Sequence, residues 1–230
     1  MRRYGSLMAT NAGSRVTHVR DGTVSVITMD DGKVNAVNHA LLDDLDAALE
    51  AAAGSRAIVL AGRPGVFSGG FDLAVVALGG PDAELLLRRG AGLVGRLYGS
   101  EVPIVAACTG HAVALGAVLL MAADLRVGAR GEFSVGLNEV AIGIELPPAL
   151  IMLAQQRLAA TRLTEAVLLA RMWTPDEAVD VGFLDVAVDP DTVLSAAIDR
   201  AKDLGTRLQP DSYQATRAYL RGSVIDRLGR

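Results

Sequence analysis

The sequence predicts an α/β fold with parallel strand pairing. Two observations carry the prediction. Short apolar runs, β-branched or alanine-rich, alternate along the chain with longer segments of helical apolar spacing, the pattern of strands joined by helices. The composition agrees. Of the residues, 51% are apolar but only 4% are aromatic, so the core is mostly Ala, Val and Leu, as in helices packed tightly on parallel strands. At 230 residues the chain can bury a full core, as one large domain or a domain with a small appendage.

Thr23-Val-Ser-Val-Ile-Thr-Met29 alternates and is β-branched, so it reads as a strand. Asn38 is placed to cap a helix that carries Leu41, Leu42, Leu45, Ala48 and Leu49 on one face and stops by Gly54. Ala57-Ile-Val-Leu-Ala61 is the next strand, buried throughout. Residues Asp82 to Leu97 have helical apolar spacing. Ile104 to Ala107 and Leu125 to Val127 are further strands. Leu115 to Ala123, between them, is uniformly apolar and reads as a fully buried helix. Thr174-Pro-Asp-Glu177 combines a threonine cap, a proline at the first helical position and a glutamate at the third, a strong helix start. Val193 to Leu208 and Ser212 to Leu228 read as closing helices. The chain thus divides into an extension over 1–15, an α/β core over 16–192 and a C-terminal helical segment over 193–230.

The most informative stretch is Gly65-Val-Phe-Ser-Gly-Gly-Phe-Asp-Leu73, directly after the strand Ala57–Ala61. A strand that ends in a turn and a glycine pair brings backbone N–H groups to an exposed edge. Glycine permits the dihedrals and the close approach such a turn needs. An edge of free N–H groups can hold an oxygen that gains negative charge, such as that of an enolised carbonyl. An ordinary glycine-rich strand-to-helix turn would read the same way, so the rest of the chain has to decide.

Net charge is −4, with no basic block and few aromatics, which argues against nucleic acid as a partner. No apolar run is long enough to cross a membrane. The single cysteine, Cys108, cannot form an internal disulfide and has no activating base nearby, so it reads as a core residue in a reducing, cytoplasmic setting. Arg2, Arg3 and Arg15 are not followed by an apolar segment of a secretory signal, so residues 1–15 read as a frayed extension, with Met8 as an alternative start.

Several apparent motifs carry nothing. Gly90-Ala-Gly-Leu-Val-Gly95 matches a dinucleotide-loop pattern, but the preceding Glu84-Leu-Leu-Leu-Arg-Arg89 is helical, where the motif needs a strand. No Gly-Lys-Ser/Thr follows a glycine cluster. Ser68 lacks the context of a nucleophile elbow. His18, His39 and His111 have no metal-ligand spacing, and His111 reads as a hydrogen-bonded, half-buried residue.

Other segments complete a pattern. Upstream of the glycine pair lies Asp31-Gly-Lys-Val-Asn-Ala-Val37. Downstream lie Pro103-Ile-Val-Ala-Ala-Cys-Thr-Gly-His-Ala112, Ala114-Leu-Gly-Ala117, Ala123-Asp124, Gly136-Leu-Asn-Glu-Val-Ala-Ile-Gly143 and Ala178-Val-Asp-Val-Gly-Phe-Leu-Asp185. In this order and at these distances they resemble the crotonase superfamily, the enoyl-CoA hydratase/isomerase family, from about Val24 to about Val188. The resemblance implies a spiral of ββα turns followed by a helical tail, which is short here for the family. It implies an acyl-CoA thioester as substrate, no metal or redox cofactor, and assembly as a homotrimer or a dimer of trimers. Tyr213, Tyr219, Leu220, Val224 and Leu228 in the closing helices would supply apolar contacts.

The resemblance also implies a site. The thioester oxygen would lie between the backbone N–H groups of Gly69 and Leu115. Leucine stands at 115 where the family usually has glycine, so the donor is kept while its side chain can narrow the acyl pocket. Hydratases of the family use two glutamates; these positions are Val118 and Glu139 here, and valine transfers no proton. A lone glutamate suits proton transfer between carbons, the pattern of the family's Δ3,Δ2-enoyl-CoA isomerases. Phe71 and Glu145 would border the acyl group. Asp72 would either add a carboxylate or serve as a turn residue. Lys33, Asn35 and Ala36 would border the CoA nucleotide, and Arg217 would reach the CoA phosphate of a neighbouring subunit. The readings left open are isomerase, hydratase of fatty-acid β-oxidation, a non-catalytic acyl-CoA binder, and a structural oligomer that uses only the scaffold.

Overall fold

The computed structural model describes residues 14–228, so most of the expected extension, 1–13, lies outside the described residues. Nine strands and nine helices follow one another among these residues. The strands are β1 (Val16–Asp21), β2 (Val24–Met29), β3 (Ala57–Ala61), β4 (Gly65–Ser68), β5 (Ile104–Cys108), β6 (Gly110–Val113), β7 (Leu125–Ala129), β8 (Val135–Gly136) and β9 (Val186–Val188). The helices are α1 (His39–Ala51), α2 (Leu73–Leu78), α3 (Gly80–Tyr98), α4 (Leu115–Ala122), α5 (Pro148–Arg157), α6 (Leu163–Val167), α7 (Pro175–Val181), α8 (Val193–Arg207) and α9 (Pro210–Leu228).

Two sheets form. The larger has six strands in the order β1-β2-β3-β5-β7-β9; the smaller has three in the order β4-β6-β8. Only β1 pairs antiparallel, with β2; every other pairing is parallel. Three times in succession the chain adds a strand to the large sheet, then one to the small sheet, then leaves through a helix: β3 to β4, β5 to β6, β7 to β8. This is the spiral of ββα turns.

The large sheet is buried on both faces, which its alternation encodes. Ile58, Leu60, Ile104 and Ala106 point into the main core with α1, α3 and α4. Ala57, Val59, Val105 and Val127 point the other way and pack against Val193, Ala197, Ile198 and Ala201 of α8. Helix α8 is therefore a layer of the α/β core rather than part of an appended tail, and the expected boundary at 192 separates no packing unit. Helix α9 is different: only Arg221, Val224 and Leu228 of its residues are buried. It lies across α3 and α5.

Local signals formed as their chemistry dictates. Asn38 caps α1 by accepting from the Leu41 N–H at 3.0 Å. Thr174 and Glu177 make both bonds of a capping box on α7. Cys108 is buried, its Sγ bonded to the Gly110 carbonyl, and burial pushes its thiol up to about 12. That makes it inert at physiological pH.

Helix α9 is fastened by polar groups. Arg221 donates to Asp124 Oδ1 at 2.7 Å and to the Tyr98 carbonyl at 3.2 Å, and its guanidinium lies 4.4 Å from the Tyr98 ring centre. Asp124 also accepts from the Tyr213 hydroxyl at 3.1 Å and from the Ile104 N–H at 2.7 Å. One carboxylate thus joins β5, the end of α4 and α9. No helix among the described residues is long and apolar enough to cross a membrane.

Candidate active site

The small sheet builds the site. Its three neighbouring parallel strands each end in one element of it. Beyond β4 lies the turn through Gly69, Gly70 and Phe71. Beyond β6 lies the start of α4 at Leu115. Beyond β8 lies Glu139.

The turn after β4 depends on Val34 and Val37 of a distant segment. Val37 donates to the Gly70 carbonyl at 2.8 Å and accepts from the Asp72 N–H at 3.0 Å. Between these two bonds the Phe71 N–H has no acceptor among the described residues. Gly70 has φ +90°, in the region that favours glycine, and a Cβ there would meet Ala114 Cβ at 2.9 Å and Leu115 N at 3.3 Å. Leu115 opens α4, so its N–H lies in the first turn, where no carbonyl of the helix can reach it. Ala114 turns the chain there with φ 53°, a strained conformation for a residue with a side chain. Two unbonded backbone N–H groups, of Phe71 and Leu115, are thereby brought together.

The expected donor Gly69 is corrected by this geometry. Its N–H already donates to the Val34 carbonyl at 2.8 Å, so it is spent on holding the turn. The free N–H belongs to Phe71, two residues later. Local sequence could not distinguish them, because the pairing partners lie in the segment 34–37.

Glu139 heads a 3₁₀ turn over Val140–Ile142 and is 8% exposed. Its Oε2 is buried with no partner among the described residues, and so is Oδ1 of the adjacent Asn138. Burial pushes the Glu139 carboxyl above the ordinary carboxylate range, against a partial lowering by the backbone N–H groups of Glu139 and Asn138. Asn138 was not picked out by sequence reasoning, although it precedes the glutamate directly.

Gly69, Phe71, Leu115, Asn138, Glu139 and Glu145 all line one cavity of about 430 Å³. The rest of its wall is mostly apolar, with Val76 of α2, Leu87 and Ala91 of α3, Ile142, Leu150 of α5 and Leu228 of α9 among the contributors. Glu145 is exposed at this cavity. Val118 is fully buried and does not reach the wall.

Five other expected site residues take different places. Asn35 is buried and turned inward: its amide donates to the carbonyls of Met29 and Phe67, and its Oδ1 accepts from the Asp31 N–H. It ties β2 to β4 rather than facing a ligand. Asp72 caps α2 by accepting from the Ala74 N–H at 3.0 Å, the turn role, and is not in the cavity wall. Arg217 lies half-buried against Gly99 at the end of α3, with Nε and Nη1 unpartnered among the described residues, away from the cavity. Lys33 and Ala36 lie outside the cavity, on the turn whose Val34 touches Gly69. His111 is a structural residue that accepts from the Ser134 N–H at 3.0 Å and meets Phe133 edge-on.

Comparison with known proteins agrees with this architecture. The family model for enoyl-CoA hydratase/isomerase matches residues 20–228. The chain is 38% identical to a crystal structure of an enoyl-CoA hydratase from Mycobacterium marinum, with a TM-score of 0.88, covering 93% of this chain and 94% of that one. It is 29% identical to human mitochondrial Δ3-Δ2-enoyl-CoA isomerase, with a TM-score of 0.87, covering 93% of this chain and 86% of that one. A probable enoyl-CoA hydratase from Bacillus subtilis is 28% identical over 205 residues, 87% of this chain and 78% of the relative. Relatives of both activities share the fold, and the chain belongs to the enoyl-CoA hydratase/isomerase family.

Proposed function

We propose that the protein binds an acyl-CoA thioester and isomerises a 3-enoyl chain to a 2-enoyl chain. The thioester oxygen accepts from the N–H groups of Phe71 and Leu115. Glu139 takes a proton from C2, the electrons move onto the thioester oxygen to form a dienolate, and the same carboxyl returns the proton at C4. The double bond ends between C2 and C3. Two donors on the developing oxyanion are worth about 3 kcal/mol each. The observation that carries this reading is the pairing of a buried, cavity-lining Glu139 with a buried valine at 118. One carboxylate can shuttle one proton; addition of water in the family's manner would use a second.

The turn over residues 31–36 is the proposed edge for the CoA nucleotide, with Lys33 exposed there. The lone buried Cys108 accords with a reducing, cytoplasmic setting.

The test is direct. Matched 2-enoyl-CoA and 3-enoyl-CoA substrates are incubated with the protein and the products identified by chromatography. Fast 3-enoyl to 2-enoyl conversion with slow formation of the 3-hydroxy product is expected. Faster hydration would make it a hydratase, and binding without any turnover would make it an acyl-CoA binder.

The pH dependence follows from the burial of Glu139. A base must be ionised to act, and burial raises the pH at which Glu139 ionises. Isomerase turnover should therefore fall on acidification with a midpoint above the ordinary glutamate range, about 4.3. A midpoint at or below that value would remove Glu139 from the role.

We also propose a homotrimer or a dimer of trimers. Of the apolar residues expected at subunit contacts, Val224 and Leu228 are buried within the chain and Tyr213 is bonded to Asp124. Tyr219 and Leu220 remain, 93% and 67% exposed, with Leu168 and Leu169 similarly bare. Sedimentation at micromolar concentration should show a trimer or hexamer; monomer alone would rule this out.

A further inference from the structure

Gly90, Gly92 and Gly95, whose spacing imitates a dinucleotide loop, lie inside helix α3. Glycine weakens a helix interior relative to alanine, so this cluster needs a physical reason. Each position has its own. A Cβ at Gly95 would stand 3.3 Å from Leu228 Cβ, so this glycine admits α9. Gly92 has nothing within 4 Å and lines the cavity. A Cβ at Gly90 would stand 2.5 Å from Cε1 of the Phe71 ring and closer still to its Cζ. Real Cβ atoms do not approach that closely. Gly90 is a notch in α3, and the tip of the Phe71 ring sits in it.

Phe71 cannot answer a filled notch by moving its backbone freely. The bonds from Val37 to Gly70 and from Asp72 to Val37 hold it on both sides, at 2.8 and 3.0 Å. The movable part is the ring. Leu115 Cδ2 closes the notch from a third side, 3.5 Å from the same Cβ position. The direction left open is the cavity, which Phe71 already lines.

We propose that Gly90 is a specificity-determining residue: by lodging the Phe71 ring in α3, it keeps the ring out of the cavity and sets the longest acyl chain the cavity accepts. A methyl group at 90 evicts the ring into the space an acyl chain would fill. The inference rests on the acyl-CoA reading of the cavity but not on which reaction the protein runs.

The test therefore reads binding rather than turnover. Saturated acyl-CoAs, which offer no double bond to move or hydrate, are titrated by calorimetry into the parent and into Gly90→Ala. Butyryl-CoA should bind both proteins within about twofold, while palmitoyl-CoA should bind Gly90→Ala at least about tenfold more weakly than the parent. Adding Phe71→Ala to Gly90→Ala removes the ring and should restore palmitoyl-CoA binding. Equal weakening of both ligands, or undiminished palmitoyl-CoA binding by Gly90→Ala, overturns the proposal. If Gly90→Ala does not fold, the double variant carries the test: it must fold and bind palmitoyl-CoA as the parent does, and a folded double variant that still rejects the long chain is equally fatal. A parent that binds no acyl-CoA would instead overturn the acyl-CoA reading itself, and this inference with it.

Discussion

Glu139→Gln is expected to fold, to bind acyl-CoA about as well as the parent, and to lose isomerase turnover by about 100-fold to 10,000-fold. Glutamine keeps the shape of the side chain but cannot accept the C2 proton. Binding should survive because, in the proposed mode, backbone groups hold the thioester oxygen and apolar walls the acyl chain. The same variant should be more stable than the parent at neutral pH. Burial raises the folded-state pKa of Glu139 above its unfolded value. The stability this group contributes is thus present below the unfolded pKa and lost as pH rises through the folded one. Glutamine never ionises, so its advantage in urea unfolding should shrink on acidification. A variant that turns over at the parent rate would move the base to Glu145, the other glutamate on the cavity wall.

Asp124→Ala should cost about 3–5 kcal/mol of folding stability, a large part of the roughly 5–15 kcal/mol a domain of this kind has. The loss comes less from the missing bonds than from what they leave behind. Arg221 is 6% exposed and would keep its charge in the interior without a counter-ion. Tyr213 and the Ile104 N–H lose an acceptor as well. Pairing Asp124→Ala with Arg221→Met removes the stranded charge and should recover much of the loss. Urea unfolding midpoints of the two variants decide the matter. A loss under about 1 kcal/mol for Asp124→Ala would mean that water reaches Arg221 and that α9 is only loosely seated.

The large sheet was legible because its strands carry their burial in their own residues. Ala57–Ala61 and Ile104–Cys108 are apolar throughout, and nothing but a strand buried on both faces suits runs so short. The small sheet was not legible. Its strands have four, four and two residues, contain Gly65, Gly110 and Gly136, and are too short for a periodic pattern to stand out in sequence. Their pairing is set by the large sheet beside them. β1 was missed because His18, Arg20 and Asp21 hide its alternation. In the site, Glu139 and Leu115 were legible through the family resemblance, since each falls at a matching place in the segments Gly136–Gly143 and Gly110–Asp124. The choice between the Gly69 and Phe71 N–H groups was not, because it depends on Val34 and Val37. Asn35 looked like a turn residue open to a ligand for the same reason: its partners, Met29 and Phe67, come from two separate strands.

The valine at 118 has a consequence for the history open to this chain. It is 0% exposed, lies inside α4 among Leu119, Leu120 and Met121, and is screened from the cavity. A single change to glutamate would not simply supply a second acid for water addition. It would place a carboxylate in hydrocarbon with no partner, at a cost of several kcal/mol. The fold would weaken before any new chemistry appeared, so a lineage would first have to loosen its neighbours. Position 118 is thus a one-residue barrier in sequence space: a carboxylate can enter there only together with changes around it.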